Sequence, residues 1–229
     1  MSTATPVGEV GPGFLSRGSA AVYRLLVCQL LWLLASAPGL VLIALLVADA
    51  SNLPVLALGL VPTAPALSAA LHAWRSSTAE DDLQPARHFW HGYRTGTRYV
   101  LGWWLPVLAV GTVLGLDLAH LHLVVPGPAV PVLQGATLVL LALLGVVGAH
   151  ALVISSAFTV RGRDTLRLAL HHLRRPGPSL GALALLVCAV GVLVLGSDWV
   201  LALLVVPGAL LLDRLSRPVV TAISEELLR

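Results

Sequence analysis

Charged residues are scarce in this sequence, and lysine is absent altogether. Only 11% of the 229 residues are charged and 57% are hydrophobic, whereas a typical soluble domain carries about 25% charged residues. A soluble chain of this composition would lack the polar side chains that cover a surface. The scarcity excludes an ordinary soluble domain and favours a protein whose solvent is the lipid bilayer.

Sequence motifs for catalysis or cofactor binding are also missing. There is no nucleophile elbow, phosphate-binding loop, zinc motif or dinucleotide fingerprint. The two cysteines, Cys28 and Cys188, lie in apolar runs, which is typical of small core side chains rather than of a disulfide or a metal pair. We therefore predict a protein that is not an enzyme, with no cofactor, no metal and no nucleic-acid partner.

Long apolar runs fill most of the chain. A helix needs about 20 apolar residues to cross a hydrocarbon core of about 30 Å, and the sequence predicts spans over 22–48, 54–74, 99–118, 132–158, 180–195 and 199–212. The last two divide one run at Gly196-Ser197-Asp198, a turn signal. The predicted fold class is all-α: a polytopic bundle of about six transmembrane helices in one domain, 20–215, between a disordered tail, 1–19, and a second tail, 216–229.

The arginines predict the orientation. With both termini in the cytoplasm, all fourteen arginines fall in cytoplasmic segments, as the excess of basic residues in short inner loops requires. The outer turns hold Asp49, Asp117 and Asp198 and no arginine. A five-span chain would place the last three arginines outside, so the distribution favours six spans.

Two cytoplasmic loops each carry a short amphipathic segment, at 82–93 and 164–173. Such segments lie along the headgroup plane with the apolar face toward the lipid, so we expect membrane lipids as partners. The predicted interfacial anchors are aromatic or basic: Trp74, Trp90, Tyr93, Trp103, Trp104, Arg87, Arg94, Arg98, Arg174 and Arg175.

Few side chains could carry chemistry inside or outside the membrane. His150 is the one ionisable residue deep within a predicted span, where such groups are costly and often functional; the alternative, which we favour, is a neutral histidine bonded to a neighbouring helix. Asp117, His120 and His122 form an outer-face group with a ligand-like composition, whose default interpretation is a polar turn.

Proline and small residues mark the predicted helix surfaces. Pro62 and Pro65 predict either a kink in the second span or a break that exposes backbone groups at a binding site. Small residues that would let helices approach closely occur in the second and fourth spans: Ala64, Ala66, Ser68, Ala69, Ala70, Gly145, Gly148 and Ala149. We expect part of this small-residue surface to face a second chain.

Several motifs together resemble a known family. They are Leu30-Leu31-Trp32 followed by Pro38, the Gly/Pro/Ala-rich stretch 59–70 ending in Trp74-Arg75, Glu80-Asp81-Asp82, Phe89-Trp90-His91-Gly92-Tyr93-Arg94, and Arg217-Pro218-Val219. The sequence is similar to the YesL-type family of bacterial membrane proteins of unknown function. The resemblance implies a bacterial cytoplasmic membrane location and a link to carbohydrate uptake, but no known active site.

Three functional classes remain open on the sequence. The first is an accessory or assembly partner of a carbohydrate import system, associating with an ABC-type sugar importer permease or with copies of itself. The second is a small solute transporter or channel, for which polar residues such as Gln29, Thr63 and Ser68 are few. The third is a membrane-embedded enzyme using His150 or the outer-face group.

The six-span orientation predicts which positions are accessible from outside an intact cell. In a chain whose native cysteines are replaced, we expect single cysteines at Ser51, Ala119 and Ser197 to react with an impermeant thiol reagent, because these positions fall in outer turns. A cysteine at Ser224 should not react. Labelling of the Ser224 position from outside would rule out six spans.

Overall fold

The computed structural model is entirely helical over the residues that it describes. These are residues 14–47, 49–77, 84–124, 127, 129–196, 198–217 and 221. The helices are α1 Phe14–Ala44, α2 Leu53–Gly59, α3 Thr63–Ser76, α4 Pro85–Val124, α5 Ala129–Ala157, α6 Gly162–His172, α7 Pro176–Val194 and α8 Asp198–Leu215, with a short 3-10 turn at Ala50–Asn52. The segment 1–13 and most of the predicted C-terminal tail lie outside the described residues, whereas residues 14–19, predicted as disordered, begin α1.

The chain is a polytopic helical membrane protein. Among the described residues, five helical stretches are long and apolar enough to cross a membrane: Gly18–Ala44, Ala50–Ser76, Pro85–Leu123, Ala129–Ala157 and Pro176–Val194. The last apolar run is divided as predicted, because α7 ends before Gly196, which adopts a positive φ of 72°, a conformation that glycine allows without strain. Helix α8 then returns along α7 as a further apolar helix of 18 residues.

The first amphipathic segment differs from the prediction of a separate interfacial helix. Residues 85–93 are the beginning of α4, which runs without interruption for 40 residues, about 60 Å at 1.5 Å per residue. No proline occurs between Pro85 and Pro106 to end the helix, and α4 packs along α3. The helix also continues to Val124, so the loop predicted from Asp117 onward is helical in its first half.

The second amphipathic segment forms the separate helix α6, but its apolar side does not face lipid alone. Thr165, Ala169 and His172 are buried, and α6 packs on α4 and α5. Leu170 remains 56% exposed, while Arg163 and Arg167 point away from the protein. Helix α6 is therefore fixed to the bundle by its apolar side and presents arginines outward.

Helix α3 is the centre of the bundle. It contacts α1, α4, α5 and α8, and its buried surface is made largely of alanine: Ala64, Ala66, Ala69, Ala70 and Ala73. In lipid, association depends on close packing rather than on the hydrophobic effect, and small side chains allow it. The small residues of the second span are thus used within the protein. Likewise, Gly145 packs beneath Leu186.

The bundle is packed at one end only. The last buried residue of α4 is Val107, and the first of α5 is Val146. Helix α7 has no buried residue after Ala182, and α8 has none among its described side chains before Val206. We call the packed end, toward the arginine-bearing segments, the inner half. In the outer half, these four helices expose leucine and valine on most of their surface.

Two glycine contacts bring backbones together within the bundle. A Cβ added at Gly39 would overlap the carbonyl oxygen of Gly59, and one at Gly162 would lie 2.5 Å from the carbonyl carbon of Gly102. Pro38, just before the first contact, removes a backbone donor from α1. No other residue fits these two crossings, between α1 and α2 and between α4 and α6.

Replacement of Gly39 with alanine should lower the stability of the folded protein. Alanine improves helix propensity by about 1 kcal/mol, but the clash with Gly59 should outweigh this gain and cost about 1–3 kcal/mol net. We expect a lower midpoint of thermal unfolding in detergent. The matched variant Gly135→Ala, where no atom lies within 4 Å of the added Cβ, should be neutral or more stable. Equal midpoints for the two variants would contradict the close crossing.

Candidate functional site

The second membrane span is broken between α2 and α3, at residues 60–62. Pro62 cannot donate a backbone hydrogen bond, and the Leu60 carbonyl accepts the amide of Thr63, three residues on, at 3.2 Å. Two indoles donate further hydrogen bonds at the break: Trp104 Nε1 donates to the carbonyl of Leu60 at 3.0 Å, and Trp32 Nε1 donates to the carbonyl of Thr63 at 3.3 Å. The break is therefore capped from α4 and from α1.

The two indole caps bear on whether the break can bind an ion or a substrate. In transporters, unwound backbone carbonyls coordinate ions or substrate. Here the Leu60 carbonyl accepts both the Trp104 indole and the Thr63 hydroxyl, the latter at 2.6 Å. Trp32 is 3% exposed, so its end of the break is closed as well. The geometry is that of a structural joint in the span rather than of an open binding site.

An apolar groove lies beside the break, between α2 and α4. It has a volume of about 320 Å³ and is lined by Pro54, Ala57, Leu58, Val61, Leu105, Leu108, Ala109, Thr112 and Val113. Its one polar side chain, Thr112, donates its hydroxyl to the carbonyl of Leu108 at 2.8 Å. Such a lining offers nothing to hold a sugar or an ion and suits a hydrocarbon chain.

A buried ion pair joins α3 to α8 in the inner half. The guanidinium of Arg75 contacts the carboxylate of Asp213, which is 5% exposed. One helix further, the Arg24 guanidinium donates to the carbonyl of Ser77 and lies 5.6 Å from the centre of the Trp74 ring. This pair was not predicted from the sequence, where its one signal is the carboxylate of Asp213 at the end of an otherwise apolar run.

His150 is buried and bonded to a neighbouring helix. It is 1% exposed, and its Nε2 lies 3.1 Å from the hydroxyl oxygen of Ser179 on α7, whose own proton goes to the carbonyl of Leu173 at 3.0 Å. The serine oxygen therefore accepts the hydrogen bond that the Nε2–H of the imidazole donates. This arrangement links α5 to the start of α7.

The outer-face group does not converge. Asp117, His120 and His122 are all exposed on the last turns of α4, and His120 Nδ1 lies 2.9 Å from the carbonyl of Leu116 in its own helix. Because the helix continues, His122 lies on a different face from Asp117 and His120. Among the described residues, no three His, Cys, Asp or Glu side chains are placed to hold a metal ion.

A neighbouring outer turn holds Asp49 in its charged form. The Ser51 hydroxyl donates to the Asp49 carboxylate, and this bond, with those from the backbone of Ala50 and Ser51, holds the pKa of Asp49 below its usual range. Asp49 is the residue that precedes the 3-10 turn leading into α2. Its role is consistent with a polar turn at the membrane surface.

The predicted anchors divide into two groups. Trp103 is 1% exposed and Trp104 caps the broken span, so these two indoles pack inside the bundle. Trp90 is 39% exposed and Tyr93 stacks on Phe89 with ring centres 6.1 Å apart. Trp74 is half-buried under Arg24. The predicted basic anchors are all exposed: Arg87, Arg94, Arg98, Arg174 and Arg175.

A comparison with known families finds a match to the part of the chain that contains the broken span. Residues 25–118 match the DUF624 family. Its description is "Protein of unknown function, DUF624", and YesL-type proteins belong to it, so the resemblance stated from the sequence is confirmed. The DUF624 segment contains both indole caps, the break and Arg75, but not Asp213 or His150. No curated protein and no solved structure matches the chain.

Removal of Arg75 should destabilise the bundle more than removal of the whole ion pair. Arg75→Met leaves the buried carboxylate of Asp213 without its cation, which costs about 3–5 kcal/mol. The double variant Arg75→Met with Asp213→Leu should recover much of that loss. Thermal unfolding of the purified protein measures both, with Arg87→Met at an exposed position as the control. A double variant as unstable as the sum of the single variants would contradict a direct interaction.

Proposed function

We propose that the protein is an accessory or assembly subunit of a bacterial membrane system, which acts by packing one of its helices against a partner in the bilayer. The observation that carries this proposal is the exposure of α7. Only 11% of its apolar stretch is buried, against 39% in α5. The main packing partners of α7 are α5 and α8.

The exposed side of α7 has the composition of a helix-packing face. Ala184, Cys188 and Gly191 are all exposed and recur at spacings of four and three residues, which places them on one face. No atom lies within 4 Å of a Cβ added at Gly191. Small residues in this pattern let a second membrane helix approach closely, so this face supports association better than a leucine-covered one.

The interior supports the alternatives less well. A transporter needs a polar path, but the broken span is closed by two indoles and the groove beside it is apolar. An enzyme needs convergent titratable groups, whereas His150 is occupied by Ser179 and the outer-face group is spread over different sides of α4. The polar contacts of the inner half include two that join helices, Arg75 with Asp213 and His150 with Ser179.

The choice of partner in this proposal rests on the family resemblance. We propose a location in the bacterial cytoplasmic membrane and, as partner, the permease subunit of an ABC-type carbohydrate importer, with a second copy of the chain as the alternative occupant of the α7 face. The support for a carbohydrate importer is the YesL-type resemblance, and the support for helix packing is α7 itself.

Cysteine cross-linking in native membranes tests the proposal directly, because Cys188 is exposed on the α7 face and Cys28 is buried. We expect a thiol-to-amine or thiol-to-thiol cross-linker to trap Cys188 in one defined complex. Mass spectrometry of the product identifies the second chain. Gly191→Leu should reduce the yield of that complex several-fold, because the larger side chain holds the helices apart.

The matched control is Val190→Leu, which enlarges an exposed residue on another side of α7 and should leave the yield unchanged. Equal loss with both variants, or a ladder of unspecific products, would contradict a defined α7 interface. Solute flux through vesicles that contain the purified chain alone would favour the transporter.

A further inference from the structure

Three arginines meet where α6 crosses α4. Gly162, the first residue of α6, packs so closely on α4 that an added Cβ would lie 2.7 Å from the backbone nitrogen of Trp103. Arg161 and Arg163 flank Gly162 in the sequence. Arg98 lies one helical turn before Gly102 on α4, a rise of about 6 Å. The crossing therefore brings the backbone positions of the three arginines close together at the inner end of the α4–α5 hairpin, and all three side chains are exposed there.

The charge of this cluster is not balanced by the residues described around it. All three side chains are exposed, and none of them forms a salt bridge with another described residue; the pair found there is Arg75 with Asp213. Asp164, half-exposed in the first turn of α6, is the one carboxylate beside them in the sequence. Three arginines against one carboxylate leave a site that favours an anion.

An apolar surface begins at the same place and runs outward along α4. Residues 98, 102, 105, 109 and 112 succeed one another at three- and four-residue spacing, so they share one face of the helix. Leu105, Ala109 and Thr112 on this face line the apolar groove between α2 and α4. From Arg98 to Val113, the far end of the groove, α4 rises about 22 Å, which exceeds the thickness of one leaflet, about 15 Å.

We propose that this face of α4 is a binding site for an anionic phospholipid of the inner leaflet. The phosphate group binds at Arg98, Arg161 and Arg163, and one acyl chain occupies the groove between α2 and α4. Basic pockets between transmembrane helices on the cytoplasmic side bind such headgroups. The charge of the cluster and the apolar lining of the groove match the two ends of one lipid molecule, and the site does not depend on the function proposed above.

Lipid retention by the full-length protein tests the site. The purified protein is offered equal amounts of phosphatidylglycerol and phosphatidylcholine, and the lipids that remain bound are counted by native mass spectrometry. We expect a clear preference for phosphatidylglycerol. The triple variant Arg98→Gln, Arg161→Gln, Arg163→Gln should reduce that preference about a hundredfold, since each of the three arginines near a headgroup contributes on the order of 1 kcal/mol and about 1.4 kcal/mol is a factor of ten.

Two controls separate this site from general attraction and from a soluble anion. Arg87→Gln, Arg174→Gln and Arg217→Gln together remove the same charge from other exposed positions and should preserve the preference. Ala109→Leu should lower retention by filling the groove. Equal loss in both triple variants, no preference in the wild type, no effect of Ala109→Leu, or displacement of the lipid by inorganic phosphate would each overturn the proposal. Circular dichroism confirms that the variants remain folded.

Discussion

The backbone of a membrane span cannot leave its polar groups without partners, and the architecture of this protein depends on how that constraint is met at residues 60–62. An unsatisfied carbonyl in hydrocarbon costs several kcal/mol. The indoles of Trp32 and Trp104 donate to the carbonyls of Thr63 and Leu60 at this break, and in doing so they fix α1 and α4 on either side of it. The alanine surface of α3 then allows these helices to pack against it.

In the inner half of the bundle, several polar side chains also have partners on neighbouring helices. Two pairs of side chains join helices there: Arg75 and Asp213 join α3 to α8, and His150 and Ser179 join α5 to α7. The amide of Gln29 donates to the carbonyl of Ala202 at 2.7 Å and joins α1 to α8. In the outer half, α4, α5, α7 and α8 expose leucine and valine instead. The inner ends of these helices are therefore held together by polar contacts, whereas their outer ends are exposed.

The sequence predicts the helical membrane fold well because composition and apolar run length are local properties. The turn at Gly196 and the polar turn at Asp49 were visible for the same reason. Features that depend on contacts with neighbouring helices are poorly predicted from the sequence. Trp103 and Trp104 have the composition of interfacial anchors, but their environment depends on α1 and α3. The length of α4 was underestimated because a charged amphipathic segment and an apolar span can form one helix when nothing between them ends it.

The ion pair between α3 and α8 also has a consequence for how the protein is made. Asp213 follows Arg75 by 138 residues, so at about 5–20 residues per second the ribosome needs roughly ten seconds to supply it. During that interval α3 must enter the membrane with its arginine at the boundary, held by lipid headgroups and water. The arrival of α8 then draws the arginine into the protein. Biogenesis of this bundle is complete only when its last apolar helix has been synthesised.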